Sequence, residues 1–118
     1  MKHHLIVTST NYFSAKLASV VHKGQSAKEL EDGIKKMIRD DPEAGDLIPG
    51  TGGLRKIRYA TQGKGKSGGY RIIYYFYNES VPIYLFTIYS KSAADNISAQ
   101  EKKAFGKLAR ELKDIFKK

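Results

Sequence analysis

Apolar residues recur along this 118-residue chain with two periods, and the change from one to the other divides it into elements. Phe13, Leu17, Val20 and Val21 fall at helical spacing, and Leu30, Ile34, Met37 and Ile38 repeat it after a break at Lys23-Gly24. Two amphipathic helices are predicted. The second opens on Ser26-Ala27-Lys28-Glu29, the spacing at which a hydroxyl and a carboxylate satisfy the free amides of a helix start. It ends before Asp41-Pro42, because the residue ahead of a proline is pushed out of the helical region. Ser98-Ala99-Gln100-Glu101 repeats the opening signal, and Phe105, Leu108, Ala109, Leu112, Ile115 and Phe116 then line one face of a closing helix.

Outside the helices the period shortens. His3 to Ser9 is short, apolar and β-branched, which predicts a first strand; Leu54 to Ala60, Gly69 to Asn78 and Pro82 to Ser90 predict three more. Residues 42–53, PEAGDLIPGTGG, read as a loop. Within the third predicted strand, YRIIYYFY is apolar on both faces apart from Arg71, as in a central strand covered on each side. The order of elements predicts a single α+β domain over residues 1–118: a small, mainly antiparallel twisted sheet with two N-terminal helices and a C-terminal helix. The helices are expected to pack on one face and leave the other open to a ligand.

Charge changes the picture. Lys and Arg number 21 against 12 Asp and Glu, a net charge of +9, which calls for an anionic partner. From Leu47 to Asn78 there is no acid, yet Arg55, Lys56, Arg58, Lys64, Lys66 and Arg71 all lie there. Tyrosines are interleaved with them, Tyr75 and, on the next strand, Tyr89 included. Bases stack on such rings while Lys and Arg hold phosphates, so the pattern suits a single-stranded nucleic-acid surface, although tyrosines are also ordinary strand and core residues.

Other chemistries find little support. The stretch ATQGKGKS (60–67) fits a relaxed phosphate-loop pattern, but it leads into a strand and not into the helix whose amides such a loop needs. Its glycines are better read as a basic hairpin tip. The only histidines, His3, His4 and His22, lie outside the basic strands, there is no cysteine, and neither a metal site nor a cofactor is expected. No apolar run approaches bilayer length and no signal peptide is evident, so a soluble cytoplasmic protein without membrane contact is expected.

A site of Lys, Arg and Tyr can still cut RNA, whose 2′-OH is a built-in nucleophile; the protein need only align it, stabilise the charge at phosphorus and manage two protons. Strand alternation puts Lys56 and Arg58 on one face and Ile57 and Tyr59 on the other. Together with Arg71 and Lys91, the first pair is expected to converge on one end of the sheet.

In GDLIPGTGGLRKIR, GKGKSGGYRIIYYF and YLFTIYSKS the chain resembles the RelE/HigB superfamily of bacterial type II toxins, especially its HigB-like branch. The resemblance implies a ribosome-dependent mRNA endoribonuclease that cuts translated message, leaving a cyclic phosphate and a 5′-OH. It also implies a cognate antitoxin, often a helix-turn-helix DNA-binding protein, alongside the 70S ribosome and mRNA as partners. By the same resemblance Arg71 answers the transition-state charge, Lys56 or Arg58 binds phosphate and transfers a proton, and Lys91 positions the backbone. Arg55, Lys64, Lys66, Tyr75 and Tyr89 are expected to bind RNA or ribosome. Ser92 stands where many members carry a second basic residue, and a tyrosine that some members have further on is absent, which leaves Tyr89 as a candidate to stack or shuttle the proton. A gyrase-inhibiting toxin of the ParE type or a non-catalytic RNA-binding module are the alternatives.

Overall fold

The computed structural model describes residues 5–22, 24–60, 69–90 and 97–117. Three helices and a five-stranded sheet follow the order β1 (Val7–Ser9), α1 (Asn11–Val20), α2 (Ala27–Asp40), β2 (Asp46–Leu47), β3 (Leu54–Tyr59), β4 (Tyr70–Tyr75), β5 (Ile83–Ser90) and α3 (Ala99–Phe116). In space the strands run β1-β5-β4-β3-β2. Only β1 and β5 pair in parallel; the other three pairings are antiparallel. The expected architecture is therefore present, with YRIIYY as the middle strand. One short element was not anticipated: Asp46 and Leu47 leave the expected loop to pair with Lys56 and Arg55 at the sheet edge. A pairing of two residues is too short to leave a period-2 trace in sequence.

Alternation along β4 decides the layers. Tyr70, Ile72 and Tyr74 point to one face, where they meet Phe13 and Leu17 of α1 and Leu30, Ile34 and Ile38 of α2. Ile73 and Tyr75 point to the other, where they meet Phe86, Phe105 and Ala109. So the helices do not share one face, as expected from sequence: α3 covers the second. The physical reason is the two-sided apolar character of β4 and β5, since Ile73, Tyr75 and Phe86 would otherwise meet water. Phe86 is the extra residue of a bulge, standing between the pairs Leu85 with Tyr74 and Thr87 with Ile73, and its ring packs edge-on against Phe105 of α3.

Helix starts follow the sequence signals. Thr10 caps α1, accepting from the Phe13 amide, and its hydroxyl donates to the Leu85 carbonyl of β5 at 2.8 Å. At Ser26 the hydroxyl accepts from the Glu29 amide, and at Ser98 both halves of the reciprocal pair with Glu101 form. α3 then seats on the glycine-rich turn ahead of β3. Gly50, Gly52 and Gly53 have positive φ values of 78°, 76° and 119°, which residues with a Cβ rarely adopt. Gly106 faces Thr51, and the Arg110 guanidinium donates to the Gly50 carbonyl at 3.1 Å.

Buried tyrosine hydroxyls tie loops to the sheet. Tyr74, fully buried, donates to the Pro42 carbonyl at 2.7 Å and accepts from the Gly45 amide at 3.0 Å. Tyr70 donates to the Gln25 side chain at 3.0 Å and lies 3.3 Å from the Val20 carbonyl at the end of α1. Burial pushes the Tyr70, Tyr74 and Tyr75 phenols above their ordinary value of 10.0. Among the described residues no helix is long and apolar enough to cross a membrane.

Two outcomes are expected. The unfolded chain releases phenol protons first, so the part of folding stability held by these tyrosines is intact below pH ~10 and is lost as pH rises through their folded values. Urea midpoints measured on either side of that pH should fall, and a Tyr74→Phe variant should fall less. Separately, a Cβ at Gly33 of α2 would overlap the Tyr59 hydroxyl. Gly33→Ala would raise helix propensity by ~1 kcal/mol but overpack by about 1–3 kcal/mol, so a net loss is expected. In a Tyr59→Ala background the same substitution should stabilise, which a double-mutant cycle in urea measures.

Candidate active site

The register of three strands assembles the site. Arg58 of β3 lies directly opposite Arg71 of β4, and Arg71 lies directly opposite Tyr89 of β5. Opposed residues on paired strands share a face, so these side chains form one row across the sheet. Ile72, the neighbour of Arg71, points into the α1/α2 core, which sets the row on the α3 face. Lys56 is two residues from Arg58 on the same strand, hence on the same face and roughly 7 Å away along it.

Coverage then separates floor from surface. The row through Lys56 continues to Ile73 and Thr87, both buried. The next row is open: Arg58 is exposed, and Arg71 and Tyr89 are half-buried. Tyr89 also packs against the apolar cluster under α3, so its ring marks the border between core and site. Neither Arg58 nor Arg71 forms a salt bridge among the described residues. Two guanidinium groups facing each other without a carboxylate repel, and the sheet carries that cost at one end only.

Beside this row a cleft of about 520 Å³ opens between β2 and the start of α3, lined by Asp46, Leu47, Pro49, Lys56, Ile97 and Lys102 among others. Lys56 belongs to both the cleft and the cationic face. Asp46 stands directly opposite Lys56 in the β2–β3 pairing, so this face is not free of acids; the acid-free stretch of sequence begins one residue after it. Lys102 and Asp46 were both missed from sequence. Lys102 did leave a signal: a lysine at the fourth position of a helix opposes the positive end of the helix dipole, so folding alone does not favour it.

The remaining expectations divide. Arg55 points to the opposite face, where its guanidinium donates to the Glu43 and Gly45 carbonyls at 3.0 and 2.8 Å and holds the loop ahead of β2. Tyr75 is 2% exposed, packed beneath α3 against the Gly53 turn, and offers no ring to a base. Alternation explains Arg55, one residue out of phase with the open row; Tyr75 shares the α3 face with Arg71 but lies farther along β4, under the helix. Lys64, Lys66 and Lys91 lie outside the described residues. No group of three His, Cys, Asp or Glu side chains placed to hold a metal occurs among the described residues.

The model of the RelE toxin of the RelE/RelB toxin-antitoxin system matches residues 12–118. The chain belongs to the RelE toxin family. Its fold is that of a solved E. coli RelE toxin, a variant with two arginine-to-alanine substitutions in the free state: TM-score 0.52, 16% identity, covering 77% of this chain and 87% of that one. The match spans both sheet faces described above, and membership in this family implies an antitoxin as partner.

Within this RelE-family chain the two kinds of arginine should behave differently on replacement. Arg55→Ala removes two charge-assisted hydrogen bonds, one of them partly buried, and is expected to lower stability by ~1–2 kcal/mol in urea unfolding. Arg58→Gln relieves the facing charges and should leave the melting temperature unchanged or raise it.

Proposed function

We propose that the chain is a ribosome-dependent mRNA endoribonuclease that halts translation by cutting the message in the decoding site. The single observation that supports this most is the cross-strand row Arg58, Arg71 and Tyr89 with Lys56 beside it, an open cationic face in a RelE-family toxin. In the proposed reaction the ribose 2′-oxygen attacks the adjacent phosphorus. The O2′–P bond forms and the P–O5′ bond breaks, giving a 2′,3′-cyclic phosphate and a 5′-OH.

Arg71, at the centre of the row, answers the charge that builds on the phosphoryl oxygens, and its guanidinium fork suits two of them at once. Lys56 or Arg58 binds the scissile phosphate and takes part in moving the 2′-OH proton. Tyr89, which flanks Arg71, stacks on a base or returns a proton to O5′ in this reading. Lys91 positions the backbone of the message, and Lys64 and Lys66 meet phosphates without regard to sequence. The reaction needs no metal or cofactor. It takes place in the cytoplasm, and an antitoxin, of the helix-turn-helix type in this reading, holds the toxin silent.

Arg71→Ala is expected to lower message cleavage by about 10²–10³-fold in a translating extract, as loss of one transition-state donor does, while co-sedimentation with ribosomes is kept. A normal cutting rate in that variant, or inhibition of DNA supercoiling in place of translation by the wild-type chain, would overturn the assignment. Replacing Lys64 and Lys66 together by alanine should weaken ribosome association and flatten its dependence on salt, read by co-sedimentation across a salt series.

A further inference from the structure

Thr87 breaks the pattern of the buried sheet. It is 1% exposed, stands directly opposite Ile73 and follows Phe86 in the apolar layer under α3. Its hydroxyl oxygen is enclosed and has no hydrogen-bond partner. The buried Thr51, by contrast, accepts from the Leu54 amide and donates to the Ile48 carbonyl. A hydroxyl taken out of water with nothing to bond costs stability, and valine has the same shape without that cost. Packing alone therefore does not account for a threonine here.

The strands decide what can reach this oxygen. Message cannot, because the oxygen is sealed from solvent; a side chain on the same face can. Lys56 lies two strands away beyond Ile73, about 10 Å off. Tyr89, two residues on along β5, is stiff and stands roughly perpendicular to the sheet, which carries its phenol oxygen away from a short neighbour. Arg71 is diagonal to Thr87 across the β4–β5 pair, where neighbours lie about 7–8 Å apart and a long flexible side chain spans the gap. Charge sends it the same way. On this face β3 presents Lys56 and Arg58, whereas β5 presents Tyr84, Phe86, Thr87 and Tyr89, so the Arg71 guanidinium is repelled from one flank and not from the other.

Resting on the ribonuclease reading, we propose that Thr87 is a positioning residue for Arg71: when a phosphate of the message occupies the arginine row, Arg71 turns toward β5 and the Thr87 hydroxyl accepts one of its N–H groups. A guanidinium has only donors. Two of them serve the phosphoryl oxygens, and anchoring a third on an oxygen fixed in the sheet stops the fork from swinging, so the positive charge is already aimed when the pentacoordinate phosphorus forms. Enclosure strengthens the bond, since no water competes for it. The orphan oxygen gains its partner in the same step, which relieves the penalty present in the free chain.

Thr87→Val removes the oxygen and keeps the shape. Its melting temperature should equal or exceed that of the wild-type chain, while message cleavage on saturated ribosomes slows about tenfold at unchanged ribosome affinity. Thr87→Ser should keep the wild-type rate. In an Arg71→Ala background Thr87→Val should change the rate no further. A wild-type rate in Thr87→Val, a parallel loss of rate and stability, or a further tenfold loss without Arg71 overturns the assignment. The contact itself is read by NMR at low salt with an RNA oligonucleotide made uncleavable by 2′-O-methyl groups: the Arg71 Nε–H should exchange with water about tenfold more slowly in the wild-type chain than in Thr87→Val. Equal exchange overturns the inference whatever the cutting activity. Slowed exchange in a chain that leaves message whole sinks the ribonuclease reading and leaves the contact standing, so the two failures are told apart.

Discussion

The middle strand must be dry on both sides. Ile72 and Tyr74 face one core, Ile73 and Tyr75 the other, and all four are essentially inaccessible. Everything else follows from meeting that demand in a small chain: two helices go to one face, the third must go to the other, and none of the three helices covers the far end of the sheet. The open end is where β4 begins, and it begins with Tyr70, which is buried, and Arg71, which is not. A charged residue at that position is tolerated because the helical cover stops short of it.

Electrostatics follow from the same geometry. Facing arginines on adjacent strands oppose folding, and a chain selected only for stability would place an acid or an apolar residue at one of them. Stability is supplied elsewhere, by tyrosine hydroxyls bonded to loop carbonyls, by Arg55 holding the turn before β2, and by α3 seated on left-handed glycines. Division of labour among like residues is the recurring theme: Arg55 and Arg58 differ in role because they differ in phase along a strand, Tyr75 and Tyr89 because they stand at the covered and the open end of one face.

Much of the fold was legible in the sequence because its signals are local. Helix caps at Ser26 and Ser98, the two-sided apolar strand and the alternation of Lys56 and Arg58 against Ile57 and Tyr59 all depend on near neighbours. What could not be read depends on contacts between distant segments. The placement of α3 on the second face was implicit in YRIIYYFY, yet the count of helices suggested a single layer. Arg55 entered the basic cluster because composition ignores phase, and Tyr75 entered the aromatic set because its cover comes from α3, a distant segment. Asp46 escaped notice because it precedes an acid-free run in sequence while standing beside Lys56 in space. Legibility of the arginine row rested on register, which the matched lengths of β3 and β4 allowed; the cleft, made by an edge strand and a helix some fifty residues later, left no such trace.

That last feature bears on the order in which a ribosome makes the molecule. Chains fold as they emerge from the N-terminus onward, and the wall that Ile97 and Lys102 contribute is the latest-synthesised part of the cleft. A nascent chain halted after β5 would carry the facing arginines but neither the third helix nor the cover over Ile73 and Phe86. The cationic face is thus encoded before the means to keep its underside dry, so a half-made chain is an unsettled sheet.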